Sequence, residues 1–108
     1  MIKPTETSEL IALAGTTEVD LGTVPTTKVA RKIYGYMFNE QSGATNTLTL
    51  RVYNGTTNEK ELSITLPAYG TLTNNDFPGP WLTVPAGRTL KAVASAASIQ
   101  VVLQYYDV

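Results

Sequence analysis

Histidine and cysteine are both absent from this 108-residue chain. Without them there is no imidazole base, no Ser-His or Cys-His nucleophilic pair, and none of the usual zinc ligand sets. The lack of cysteine also rules out a disulfide framework and leaves the redox compartment unreadable. Charge is scarce: Asp, Glu, Lys and Arg make up 16% of the residues, against ~25% in an ordinary globular domain. The 8 basic and 9 acidic residues are scattered, the net charge is -1 and there is no basic run. Neither nucleic acid nor an anionic membrane surface is therefore expected as a partner. A near-neutral surface repels its own copies weakly, which suits assembly. No apolar stretch approaches the ~18 residues of a spanning helix. The opening MIKPTETSEL has no apolar core and is read as no secretory signal, so synthesis in a cytoplasm is expected. The eight glycines stand singly, with no phosphate loop or dinucleotide fingerprint. No cofactor or metal is expected.

Carboxylates are the remaining source of catalysis. Glu18, Asp20, Glu40, Glu59, Glu61 and Asp76 are the candidates for a paired-acid glycosidase. Glu18 and Asp20 share one strand face, which fits a solvated surface better than two tuned acids. A domain this small also lacks a deep sugar cleft, so the chain is expected not to be an enzyme. Asn74, Asn75 and Asp76 could offer oxygens to calcium, but there is no closing bidentate Glu and no calcium-loop spacing. They read better as a polar turn. Asn54-Gly55-Thr56 matches a glycosylation sequon and is also an ideal hairpin turn, with Asn-Gly supplying positive φ angles.

What is abundant is threonine: Thr16, Thr17, Thr26, Thr27, Thr47, Thr49, Thr56, Thr57, Thr65, Thr71 and Thr73 are among many. Together with alternating apolar residues they favour pleated strands. Strands are predicted over 9–14, 17–21, 29–39, 47–53, 61–66, 81–84, 89–94 and 98–106, with a brief pairing near 69–72. Leu48, Leu50 and Val52 should point inward on one arm of a hairpin and Leu62, Ile64 and Leu66 on the other. Gly35 within the long strand suggests a bulge or the close approach of another backbone. Roughly eight short strands without a convincing helix predict an all-β fold. We expect a single antiparallel β-sandwich of jelly-roll or Greek-key type. Residues 1–8 read as an extended arm and 9–108 as the sandwich domain.

Two aromatic features remain open. The 29–39 strand offers one row of Ala30, Lys32, Tyr34, Tyr36 and Phe38, and another of Val29, Arg31, Ile33, Gly35 and Met37. If the first row faces outward with Val102 and Tyr106, that surface is more apolar than a free monomer needs; the alternative is that it forms the core. In the last strand Ile99, Val101 and Leu103 should hold the sandwich together. Trp81 fits a core or subunit contact, or a sugar-stacking platform.

Turn and strand motifs carry a resemblance. The "VP" turn closes Leu21 to Pro25, and a long strand from Ile33 ends at Asn39. A Thr-rich hairpin spans Thr47 to Leu66 and ends in "LPA" (Leu66, Pro67, Ala68). Then comes L-x-V-P-A-G-x-T-L-x-A from Leu82 to Ala92, and a last alternating strand. This plan resembles the small β-sandwich virion structural proteins of tailed bacteriophages, of the head decoration or stabilisation type. The resemblance covers most of the chain after Ser8. It implies a non-enzymatic virion component, made in the host cytoplasm, that binds a major capsid or other virion protein and its own copies, often as trimers. The loop from Thr73 to Trp81 is longer than such turns need and is read as a contact. The interface residues expected on this basis are Ile2, Pro4, Tyr34, Tyr36, Phe38, Asp76, Phe77, Trp81, Val102 and Tyr106. The alternative function is a carbohydrate- or receptor-binding module of a tail tip or fibre.

Overall fold

The computed structural model describes residues 7–13, 15–74, 79–96 and 98–108. Within them lie nine strands and no helix: β1 (Thr7–Leu13), β2 (Val19–Thr23), β3 (Ala30–Glu40), β4 (Asn46–Tyr53), β5 (Asn58–Leu66), β6 (Thr71–Asn74), β7 (Leu82–Pro85), β8 (Thr89–Ala94) and β9 (Ile99–Asp107). Side-chain alternation is the cause. In β4, Asn46, Leu48, Leu50 and Val52 are buried while Thr47, Thr49, Arg51 and Tyr53 are half-exposed. The same period of two runs through β8 and through the first five residues of β9.

The strands form two antiparallel sheets. One runs β1-β9-β3-β6, with β7 also pairing β3, and the other runs β2-β8-β4-β5. β6 pairs with Tyr36–Asn39 and β7 with Ala30–Ile33, so the two are successive pieces of one broken strand along β3. Counted as one, they leave eight strands, paired first with last, second with seventh, third with sixth and fourth with fifth. That nested order is a jelly roll. The ninth strand therefore comes from the break between β6 and β7, not from an extra turn of the chain.

The inner faces of both sheets supply the core. Leu13, Ile33, Phe38, Leu48, Ile99, Val84 and Val101 are fully buried, with Leu50, Leu66, Leu90 and Ala92 beside them. Ile99, Val101 and Leu103 hold the sandwich from the last strand, as alternation predicts. Leu62 and Ile64 pack only partly against the core, because β5 is an edge strand. Burying one such side chain contributes about 1.5–3 kcal/mol.

Three local expectations are corrected. β1 begins at Thr7 and pairs Thr7 with Tyr105 and Ser8 with Gln104, so those two residues belong to the sandwich rather than to an arm. Thr73 and Asn74 are strand residues of β6, not loop. In the β4–β5 turn only Gly55 of the Asn-Gly pair takes positive φ, at 98°. Asn54 works through its side chain, whose Oδ1 accepts the backbone N–H groups of Thr56 and Thr57 at 2.9 and 2.8 Å.

Candidate functional site

The decisive local feature is a bulge in β3. Ile33 pairs with Tyr105 and Gly35 with Gln104, leaving Tyr34 as the extra residue. A bulge adds one residue to one strand and so reverses the alternation beyond it. Arg31 and Ile33 face inward before it, and Tyr36, Phe38 and Glu40 face inward after it, opposite Leu103, Val101 and Ile99. The row expected from strict alternation, Tyr34 with Tyr36 and Phe38, does not exist.

Each interface candidate is placed by that switch. Phe38 is fully buried and is core, not contact surface. Tyr36 stacks on it at 4.6 Å with 8° between the rings, and Trp81 tilts against Tyr36 at 4.6 Å and Phe38 at 6.4 Å. Trp81 is therefore half-buried in an aromatic cluster rather than laid open as a platform. Tyr34 and Tyr106 lie on the other side of the sheet. They stack at 5.2 Å, their hydroxyls hydrogen bond at 2.8 Å, and they are only 5% and 9% exposed. Their burial removes them from the expected contact set. Val102 is half-exposed and keeps its outward position opposite Met37. Ile2, Pro4, Asp76 and Phe77 lie outside the described residues, as do Asn75 and the rest of the 75–78 stretch.

The two broad outer faces differ in chemistry. On the four-stranded sheet, Arg51 meets Glu18 at 2.7 Å and Glu61 at 3.4 Å, and Lys91 meets Glu18 at 3.7 Å and Asp20 at 3.4 Å. Lys91 also sits 4.5 Å over the Tyr53 ring. Hydroxyl pairs Thr47–Thr65 and Thr49–Ser63 fill the spaces between. Glu59 is gripped by Arg88 at 2.9 Å in the nearby turns, and that hydrogen bond holds its carboxyl below the ordinary value. Glu18, Asp20, Glu59 and Glu61, considered for acid–base chemistry, are thus tied into ion pairs.

The outer face of the five-stranded sheet is nearly uncharged. Pairing places Met37, Asn39 and Lys32 of β3 beside Val102, Gln100 and Tyr106 of β9, with Gln104 next in line. Thr71 and Thr73 of β6 and Thr83 of β7 flank them, and Ala12 of β1 lies beyond Gln100. Among the side chains described on this face, Lys32 is the one charge. Tyr36, Met37, Thr73, Val102 and Gln104 line a shallow groove of about 250 Å³. Beside it, Thr71 Oγ1 donates to Asn39 Oδ1 at 2.6 Å and Asn39 Nδ2 donates to Gln100 Oε1 at 3.4 Å. The arrangement has the chemistry of a contact surface: an apolar centre ringed by amides and hydroxyls.

Glu40 is buried at one end of the sandwich, 3% exposed. Its carboxylate accepts Ser42 Oγ at 2.9 Å, the Gly43 N–H at 2.8 Å and Asn46 Nδ2 at 2.9 Å. Burial alone pushes its pKa up, but the donors from Asn46, Ser42, Gly43 and Ala44 outweigh it and hold the carboxyl at about 2. Asn46, fully buried, also donates to Ala96 O at 2.9 Å and accepts Ala96 N–H at 3.0 Å and Ser95 Oγ at 3.2 Å. This network joins the β3–β4 loop to the β8–β9 loop; the acid is fully ionised and saturated with donors, the opposite of a poised general acid. At the other end Arg31 makes a two-pronged pair with Asp107, at 2.8 and 3.1 Å, and lies 4.1 Å over Tyr105.

Sequence reasoning did not single out Tyr69. It is 74% exposed and adopts φ of 54°, the one left-handed non-glycine among the described residues. Its ring lies over Gly43, where a Cβ would come within 2.7 Å of the Tyr69 hydroxyl. The signal available was the Pro67-Ala68-Tyr69-Gly70 turn, closed by a Gly70 N–H to Pro67 O bond of 2.9 Å. Met37 and Gln104 were also passed over, because the site of the bulge decides which way Met37 points. Among the described residues no group of three or more acidic side chains is placed to hold a metal ion. No family model matches this chain, and no curated protein matches its sequence.

Proposed function

We propose that this chain is a virion structural protein, a capsid decoration or stabilisation protein that associates with its own copies and binds the virion surface. The observation that supports it most is the contrast between the two outer faces. One is closed by ion pairs within the chain; the other carries one described charge and an apolar groove around Met37 and Val102. Partners are held by such desolvated apolar centres with polar rims. The jelly roll hosts viral capsid domains as well as lectins, so fold by itself does not choose between functions. The motif resemblance from Leu21 to Ala92 favours the virion.

The experiment is pelleting of the purified chain with virions that lack it. Saturable co-sedimentation is expected; a chain that stays in the supernatant at every concentration overturns the proposal.

A second reading, glycan recognition, is favoured by Tyr69. An exposed ring held over Gly43 with strained backbone is a preformed stacking surface, and backbone strain of this kind clusters at functional sites. A glycan array signal abolished by Tyr69→Ala, without virion binding, would select this reading over the first.

A further inference from the structure

We infer that the outer face of the five-stranded sheet packs against the same face of a second copy of this chain, across a two-fold axis. The inference rests on the contact-protein reading and names the occupant of that face. In a two-fold contact each surface must complement itself. Charged side chains meet their own sign near the axis and resist this. Amides and hydroxyls both donate and accept, so each is able to pair with its own kind. The face carries that chemistry in Asn39, Gln100, Gln104, Thr71 and Thr73 around the apolar Met37 and Val102.

Lys32, the described charge, is opposite Tyr106. At ~3.3 Å per residue it stands about 13 Å along the sheet from Val102, at the rim rather than at the axis. The opposite outer face carries fixed charges instead, Arg51 and Lys91 with Glu18, Glu61 and Asp20, which would meet their own sign near an axis. The sandwich measures 40 × 35 × 18 Å. A standard interface of about 800 Å² per partner takes little more than half of its broad side. With a net charge of -1, two copies repel weakly. A two-fold contact closes at two copies, so the elementary unit is a dimer and not the trimer that the family resemblance implies.

Sedimentation velocity of the full chain, with Val102→Lys, Thr73→Lys and Thr49→Lys as variants, tests this. The wild type is expected at twice the 11.6 kDa of one chain. Val102→Lys and Thr73→Lys are expected at one chain's mass, because each buries an ammonium group without a partner in the contact. Thr49→Lys, on the other outer face, is expected to remain dimeric. Val102 is half-buried, so circular dichroism checks that its variant is folded; Thr73 is exposed and its variant keeps the test sound if Val102→Lys unfolds. A wild-type monomer, a trimer, or a Thr73→Lys dimer as tight as wild type each overturns the inference. A wild-type monomer that still pellets with virions overturns the self-pairing alone. A dimer broken by Thr73→Lys that ignores virions overturns the virion reading alone.

Discussion

Asn46→Ala should be among the most damaging single substitutions of a polar residue in this protein. Asn46 is fully buried and uses its whole hydrogen-bonding capacity, with two bonds donated and two accepted. Three of the four reach the β8–β9 loop, at Ala96 O, Ala96 N and Ser95 Oγ, over 2.9 to 3.2 Å. At a net ~0.5–1.5 kcal/mol each, they sum to about 3 kcal/mol. The fourth, to Glu40, deepens the loss by removing a donor from a buried carboxylate. With a urea dependence of ~2 kcal/mol/M for a domain of this size, the unfolding midpoint should fall by about 1.5 M. Far-UV circular dichroism in urea reads it directly. Thr49→Ala, whose hydroxyl shares only a surface 3.3 Å contact with Ser63, serves as the control and should move the midpoint little. A shift for Asn46→Ala below ~0.5 M, equivalent to about 1 kcal/mol, would refute the claim that this amide clamps the two loops together.

Glu40 gives a pH signature. Its folded-state pKa of about 2 lies below the ordinary 4.5, so the native state favours the ionised form. Its contribution is complete above about pH 4.5 and is lost as pH falls toward 2. Urea midpoints followed across that window should drop for the wild type and change less for Glu40→Gln. Tyr34→Phe and Tyr106→Phe, measured with the double variant, should show a coupling of about 0.5–1.5 kcal/mol from their shared 2.8 Å bond; additive effects would mean that the bond does not form. Gly43→Ala should cost about 1–2 kcal/mol, since φ of 79° is unfavourable for an L side chain, and thermal melting checks it. Phe38→Ala should cost about 3–5 kcal/mol as a fully buried aromatic, whereas an interface residue would leave the isolated chain's melting unchanged.

The antiparallel β-sandwich was legible because turn chemistry and a period of two both survive in a single sequence; the choice of jelly roll over Greek key came from the pairing. The hairpin of β4 and β5, the inward Leu48, Leu50 and Val52, and the core role of Ile99, Val101 and Leu103 all followed from alternation. The face assignment in β3 did not. Gly35 was compatible with a bulge or with a close backbone approach, but a bulge residue reverses every later side chain, and sequence does not say which residue is extra. The structure makes it Tyr34. That one position sent Tyr36 and Phe38 into the core, turned Met37 outward, and left Tyr34 with Tyr106 in a buried pair. Buried polar pairings were equally invisible: Asn46 looked like a loop-edge residue because its partners Ser95 and Ala96 lie some fifty residues away, and the burial of Glu40 beside it follows from that clamp. Tyr69 escaped notice because a left-handed backbone at a tyrosine leaves no mark in the sequence, and Gly43, against which its side chain lies, is some twenty-five residues away.

The most direct test of the proposed virion role is a cryo-electron microscopy map of virions incubated with this protein. The account predicts jelly-roll density on the particle, with the face of Met37, Val102 and Gln104 buried against a neighbour and the face of Arg51 and Lys91 toward solvent. A particle without such density, or one in which the Arg51–Lys91 face is buried and the Met37–Val102 face lies open, would contradict it.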